Sequence, residues 1–171
     1  PMASRVIPVD PFELVIFGGT GDLARRKILP GLFRRFRAGQ MPKDARIIGS
    51  ARTDLNAESF RAFVADAIKE FGGDDLSDAP ELTGFLGCLD YVATDAKGEK
   101  GWVELAGKVR KELINAFYFS VAPSLFGDIA ERLKAHDLAD NSSRIVVEKP
   151  FGRDPASARA PNETLASHFK E

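Results

Sequence analysis

Directly after the apolar run Leu14-Val15-Ile16-Phe17 stands Gly18-Gly19-Thr20-Gly21-Asp22-Leu23-Ala24. Its spacing is G-x-x-G-x-x-A rather than a plain G-x-G-x-x-G. Gly18 and Gly21 permit a tight turn and let a pyrophosphate approach the backbone, while Ala24 is small enough for a following helix to pack on the strand. The first amides of a helix have no carbonyl partner within it, and with the helix dipole behind them they suit an anion. A buried strand before the motif and a helix after it are the context in which such glycines bind a dinucleotide.

The end of the next apolar strand decides which dinucleotide. A ribose with free hydroxyls is usually met there by Asp or Glu, whereas a 2′-phosphate needs a cation. The sequence offers Gly49-Ser50-Ala51-Arg52-Thr53. Arg52 can grip a phosphate bidentately, and Ser50, Thr53 and Thr20 can add hydrogen bonds, so NADP is expected over NAD, with Asp54 the residue that argues against it. A third segment, Glu148-Lys149-Pro150-Phe151-Gly152-Arg153-Asp154, follows a later apolar strand. Ligands of open α/β sheets lie beyond the carboxyl ends of the strands, so Lys149 is expected to face the same pocket, aimed more sharply if the Lys149–Pro150 bond is cis.

Other chemistries lose their support. There is no Gly-Lys-Ser/Thr for a nucleoside triphosphate loop. A short-chain reductase needs Lys four residues after its Tyr, but Tyr91 and Tyr118 have Asp95 and Ala122 at that offset. The two histidines, His136 and His168, have no carboxylate and nucleophile arranged around them and read as exposed helix residues. The one cysteine, Cys88, excludes internal disulfides and thiolate metal clusters and reads as a small buried hydrophobe. No metal site is expected.

These groups need a scaffold, and the periodicity supplies one. Leu29, Leu32, Phe33 and Phe36 make one helical stripe in a helix from Asp22, with Pro30 a point of bending. Arg46-Ile47-Ile48-Gly49 is a second strand. Asn56 is an N-cap, with Leu55 and Phe60 as a hydrophobic staple, for a helix carrying Val64, Ala67 and Ile68 inward. Gly72-Gly73-Asp74-Asp75 reads as loop, Leu89 to Ala93 as a third strand, and Trp102, Leu105, Ala106 and Val109 as another helical stripe. Ala116 to Val121 is a strand, a helix follows Pro123, and Arg144 to Val147 is the fifth strand. Strands alternating with helices imply a doubly wound, Rossmann-like α/β domain: a mainly parallel sheet of five or six strands with helices on both faces. Residues 1–171 are expected to form this single domain, with a flexible tail at 1–11 and a last helix at 154–171, started by Asp154-Pro155 and interrupted by Pro161.

At 171 residues, 44% hydrophobic and 29% charged, the chain matches an ordinary globular domain of its length. Its longest near-apolar run, Ala116 to Phe126, falls short of the ~20 residues of a membrane span. The start of the chain has no apolar signal core, so a cytoplasmic setting without membrane contact is expected. A net charge of −1 argues against a nucleic-acid surface. Residues 21–52, however, hold nine Lys/Arg against Asp22 and Asp44, a balance of +7 that could draw a multiply charged anion.

Four segments in order, Gly18 to Lys27, Ala51-Arg52-Thr53, Phe117 to Ser124 and Glu148 to Asp154, resemble the N-terminal coenzyme domain of the glucose-6-phosphate dehydrogenase family. The resemblance runs over essentially the whole chain. It implies oxidation of glucose 6-phosphate at C1 to the 6-phospholactone with reduction of NADP, the entry to the pentose phosphate pathway. By that likeness Gly18, Gly19, Thr20, Gly21, Asp22 and Leu23 line the coenzyme turn, and Arg52 meets the 2′-phosphate. Lys27 and Lys149 lie toward substrate and nicotinamide, Pro150 is a cis proline at a hinge, and Asp95 and Ala96 flank the adenine. Ala122 and Pro123 stand where family members often have Pro-Pro. The family's substrate-phosphate histidine, general-base histidine and homo-oligomer interface belong to segments beyond Glu171. A fragment that binds coenzyme without turning over is therefore expected. The alternatives are a non-catalytic nucleotide-binding or scaffold module and, disfavoured by the missing tyrosine–lysine pair, a sugar-nucleotide epimerase-like protein.

Overall fold

The computed structural model describes residues 12–42 and 44–147. Five strands, β1 (Phe12–Phe17), β2 (Arg46–Ala51), β3 (Leu89–Ala93), β4 (Ile114–Phe119) and β5 (Arg144–Val147), form one parallel sheet in the order β3-β2-β1-β4-β5. β1 is buried at all six positions because it is central and covered on both sides. Its side chains divide by the two-residue period of a strand. Phe12, Leu14 and Ile16 join one core, and Val15 and Phe17 the other. The first core is closed by α1 (Leu29–Arg37) and α2 (Ala57–Phe71), and the second by α5 (Trp102–Lys108) and α6 (Phe126–Ala135). The expected doubly wound architecture is thus present, and the chain order reverses between β1 and β4, where such folds open a crevice.

Local chemistry explains most boundaries. Asn56 and Ser59 form a reciprocal capping box at the start of α2, and Leu55 and Phe60 both pack in the first core. Between the glycine turn and α1 the expected continuous helix is replaced by a wide π-turn, Ala24–Ile28, in which the Leu29 amide reaches back to the Ala24 carbonyl. The extra residue delivers Pro30 to the opening turn of α1, where a missing N–H leaves no gap in the ladder.

Several expectations need correction. Gly72 caps α2, and Gly73, at φ +88°, turns the chain at once into a short helix, α3 (Asp74–Ser77), where a loop is expected. A further helix, α4 (Leu82–Leu86), is unanticipated: it places Phe85 against Phe33 and Phe36, with ring centroids 5.2 and 5.5 Å apart. β4 starts two residues earlier than expected and ends at Phe119. Cys88 is only half-buried, between α4 and β3, and burial pushes its thiol up. His136 caps the end of α6 and is mostly covered, because its ring lies against Trp102, 6.2 Å between centroids, and Nε2 stands 3.3 Å from Glu99.

At the amino end of β1 the fully buried Glu13 carboxylate is held by Arg46, 3.1 Å away on β2, and by Arg110. No helix among the described residues is long and apolar enough to cross a membrane. The tail at 1–11, the helix at 154–171, Lys149, Pro150 and His168 lie outside the described residues.

Candidate functional site

The carboxyl ends of β1, β2, β3 and β4 meet around the glycine turn. Gly18 is the first residue after β1, at φ +82°, and a Cβ there would stand 2.0 Å from the Ser120 carbonyl oxygen just past β4. The Gly18 and Gly19 amides both donate to the Ser50 carbonyl of β2, at 2.7 and 3.1 Å. One backbone segment is therefore clasped from both sides, and only glycine fits its first position. Gly21 donates back to Gly18 and Arg25 to Gly21, whereas the intervening Asp22, Leu23 and Ala24 amides make no turn or cap bond to a carbonyl among the described residues. Those amides open the helical segment, as an anion site requires.

The Asp22 carboxylate in that first turn is forked onto Arg26 Nε at 2.9 and 3.0 Å, with Arg25 3.7 Å away. Arg25 also binds Glu70 at 3.0 Å, and both guanidiniums lie over the Phe71 ring. These two arginines are therefore committed to α2. Lys27 is exposed on the π-turn, and Leu23 packs against the first core.

The second wall comes from the end of β2. Ser50 lines the cavity between the two walls, and its buried hydroxyl shares a 2.6 Å hydrogen bond with Thr94. The Thr53 and Thr20 hydroxyls are exposed and 3.2 Å apart, so the loop after β2 touches the glycine turn. Tyr91 braces that loop from below: its phenol donates to the Thr53 carbonyl at 2.6 Å and stands 3.3 Å from that of Ala51. Burial, and then the negative charge of Asp54, push its ionisation up to about 12. A catalytic tyrosine needs the opposite shift. Arg52, between these anchored residues, is exposed and makes no ion pair or hydrogen bond among the described residues.

A cavity of about 280 Å³ joins the two walls to the loop after β3 and to α6. Its back is apolar, where Phe17, Val121, Leu125 and Ile129 meet, and its rim carries Arg52, Asp95 and Lys97. The Asp95 carbonyl accepts from the Trp102 indole at 2.9 Å, and its carboxylate from the Lys97 amide at 3.1 Å. Gly101, at φ +87°, lets this loop double back, since a Cβ would meet the Ala93 carbonyl at 1.9 Å.

Of the expected site residues, Gly18, Arg52 and Asp95 share the cavity wall with Ala96. Gly19, Thr20, Gly21, Asp22 and Leu23 form the adjoining turn. Ala122 and Pro123 are exposed beside the cavity without lining it, while their neighbours Val121 and Leu125 do line it. Sequence reasoning missed Lys97 and the apolar back wall. The available signal was positional, since Phe17 ends its strand and the others fall shortly past a strand end or on the first turns of the following helix. No group of three or more metal-ligating side chains occurs among the described residues.

Residues 15–171 match the family described as glucose-6-phosphate dehydrogenase, NAD binding domain. The chain is 45% identical to glucose-6-phosphate 1-dehydrogenase of Rhizobium meliloti, over 99% of its own length and 35% of that protein's. It is 42% identical to the enzyme of Gluconobacter oxydans, over 95% and 34%. Among solved structures it is similar to a glucose-6-phosphate dehydrogenase in complex with glucose 6-phosphate, with a TM-score of 0.76 and 31% identity over 95% of this chain and 35% of that one. The enzyme from Mycobacterium avium gives 0.74 and 36%, over 94% and 34%. The chain thus spans about a third of the length of the relatives it matches. A glycine turn clasped between three strand ends, beside an apolar cavity with an arginine on its rim, is carried here by a sequence that belongs to the glucose-6-phosphate dehydrogenase family, as its NAD-binding domain.

Proposed function

We propose that this chain holds NADP, in preference to NAD, for an enzyme that oxidises glucose 6-phosphate at C1. The observation that carries the reading is Arg52, which stands unpaired among the described residues on the rim of an apolar cavity, beside the glycine turn. A guanidinium committed to no carboxylate is available to a 2′-phosphate, and the apolar back wall suits a purine. The amides of Asp22, Leu23 and Ala24, which make no turn or cap bond to a carbonyl among the described residues, suit the pyrophosphate. NADP, when bound, supplies a two-electron acceptor.

The residues of this chain bind and orient. Tyr91 fixes the backbone on which Arg52 rides, and Trp102 fixes the Asp95 turn. Lys27 and Lys149 are the candidates to reach toward the sugar phosphate. Proton removal from an alcohol needs a positioned base, and among the described residues the cavity wall holds no histidine. The one carboxylate that lines it among the described residues, Asp95, already accepts from the Lys97 amide. Coenzyme binding without turnover is the activity assigned to this chain, with the base supplied by other parts of a cytoplasmic, homo-oligomeric enzyme.

Calorimetric titration of the chain with NADP and NAD tests the reading, repeated with Arg52→Ala. NADP should bind more tightly, and the substitution should cost NADP about 10- to 100-fold, the range of a charge-assisted hydrogen bond, while leaving NAD unchanged. Equal binding of both coenzymes, untouched by the substitution, would refute the 2′-phosphate assignment. Turnover of glucose 6-phosphate by the chain alone would refute its binding-only role.

A further inference from the structure

Lys97 stands on the same rim as Arg52. The two side chains leave neighbouring strand ends, since β2 and β3 are paired through Ala51 and Ala93. The backbone at Lys97 is pinned: its amide donates to the Asp95 carboxylate at 3.1 Å, the Gly98 amide donates to the Asp95 carbonyl at 3.1 Å, and the Asp95 amide donates to Lys100 at 3.1 Å. The ammonium itself is loosely held. Its ion-pair partner among the described residues is Asp128, 3.5 Å away on the first turn of α6, and the two side chains are 69% and 37% exposed. A pair so solvated is weak and salt-screened, so a more highly charged ligand displaces it readily.

A phosphomonoester carries about −1.5 to −2 charges at neutral pH. Arg52 alone leaves roughly one of them uncompensated, and Asp95 adds another negative group to the rim. We propose that Lys97 is a second specificity-determining cation of the site, exchanging Asp128 for the 2′-phosphate of the bound nucleotide. Lys97 and Arg52 then grip the phosphate from the β3 and β2 sides, and preference for the phosphorylated dinucleotide is shared between them. This rests on the NADP reading above. It adds a residue of the loop after β3, which that reading leaves without a role toward the ligand.

The test uses the 171-residue chain with adenosine 2′,5′-bisphosphate and AMP as probes, titrated calorimetrically at two salt concentrations. Lys97→Met should weaken the bisphosphate about 2- to 5-fold, leave AMP unchanged and flatten the salt dependence. Lys97→Arg should restore the affinity. Asp128→Asn should bind the bisphosphate as tightly as the parent or more so, because the ammonium is released toward the phosphate. Equal weakening of both probes by Lys97→Met, or of neither, overturns the proposal. A loss in Asp128→Asn that matches Lys97→Met overturns it too, since the pair would then be a brace. If Arg52→Ala separates the probes and Lys97→Met does not, only the role of Lys97 falls. If Arg52→Ala separates nothing, the NADP reading falls and takes the role of Lys97 with it.

Discussion

Replacing Gly18 by alanine strikes the point where three strand ends are clasped together. The backbone there sits at φ +82°, which costs an L-residue about 1–2 kcal/mol. The added methyl would also lie 2.0 Å from the Ser120 carbonyl oxygen and 2.9 Å from Val121 Cγ1. Relief requires the turn or β4 to move, which strains the 2.7 Å bond from the Gly18 amide to Ser50 and costs about another 1–2 kcal/mol. A total of about 3 kcal/mol or more follows, and at about 2–4 °C per kcal/mol for a domain of this size the melting temperature should fall by roughly 6–12 °C. Urea unfolding followed by circular dichroism gives the free energy. Trp102 fluorescence gives the local effect, since the indole packs 5.6 Å from Phe17, the residue before Gly18. Gly31→Ala is the control: it lies in α1 with open space where the methyl would go, and should gain about 0.4–1 kcal/mol. Gly18→Asn separates the two causes, because asparagine tolerates positive φ but still meets Ser120. If Gly18→Ala unfolds within about 0.5 kcal/mol of the parent, or Asn restores full stability, the close approach is not what demands glycine.

Two other sites give checks of different kinds. Tyr91→Phe should lose about 1–2 kcal/mol through the bonds to Thr53 and Ala51, measured by urea unfolding at neutral pH. Its phenol ionises at about 12 in the folded chain and near 10 when unfolded, a raised value. The stability it confers is therefore complete below pH ~10 and lost as the pH rises toward 12. A Phe variant whose midpoint still falls as steeply over that window would show that another group is responsible. Glu13→Ala should cost about 1.5–3 kcal/mol through the lost bonds to Arg46 and Arg110, which stay partly solvated and keep the Lys108 and Asp44 carbonyls, yet leave nucleotide affinity unchanged, because Glu13 lies at the other end of β1 from the cavity. A loss below about 1 kcal/mol would mean that the buried carboxylate is compensated some other way.

The parts of this fold that are plain in the sequence are those where one local pattern answers to one environment. Strands such as Phe12–Phe17 and Arg46–Ala51 are buried on both faces, so continuous apolar runs betray them, and Asn56 announces α2 by its own capping chemistry. α3 and α4 span four and five residues, too few for a helical period to show. The π-turn before Pro30 leaves no compositional mark, because it solves a steric problem that arises only once the glycine turn and α1 are both in place. Ser50 is instructive for the same reason. Its type and position suit a ligand contact, and it does line the cavity, but nothing in the local sequence shows that its hydroxyl also bonds Thr94, 44 residues away and reachable only through the pairing of β2 with β3. Glycine positions survive translation from sequence to site better than hydroxyl positions, since a steric requirement is local and a hydrogen-bond partner is not.

Charge shows the same division at larger scale. Counted along the chain, residues 21–52 carry a balance of +7, which reads as a basic surface awaiting an anion. In the folded chain Arg25 goes to Asp22 and Glu70, Arg37 to Asp75 and Glu81, and Arg46 to Glu13, while Arg26 takes Asp22. Most of the acids that neutralise this stretch lie outside the window that was counted, on β1, α2, α3 and the residue before α4. The field an incoming phosphate meets is therefore set by a few groups around one cavity: Arg52 and Lys97 against Asp95, with Asp128 beside them. On the proposed reading, selectivity for a 2′-phosphate would follow from that small imbalance at short range, where screening is least effective, and not from the basic composition of the first third of the chain.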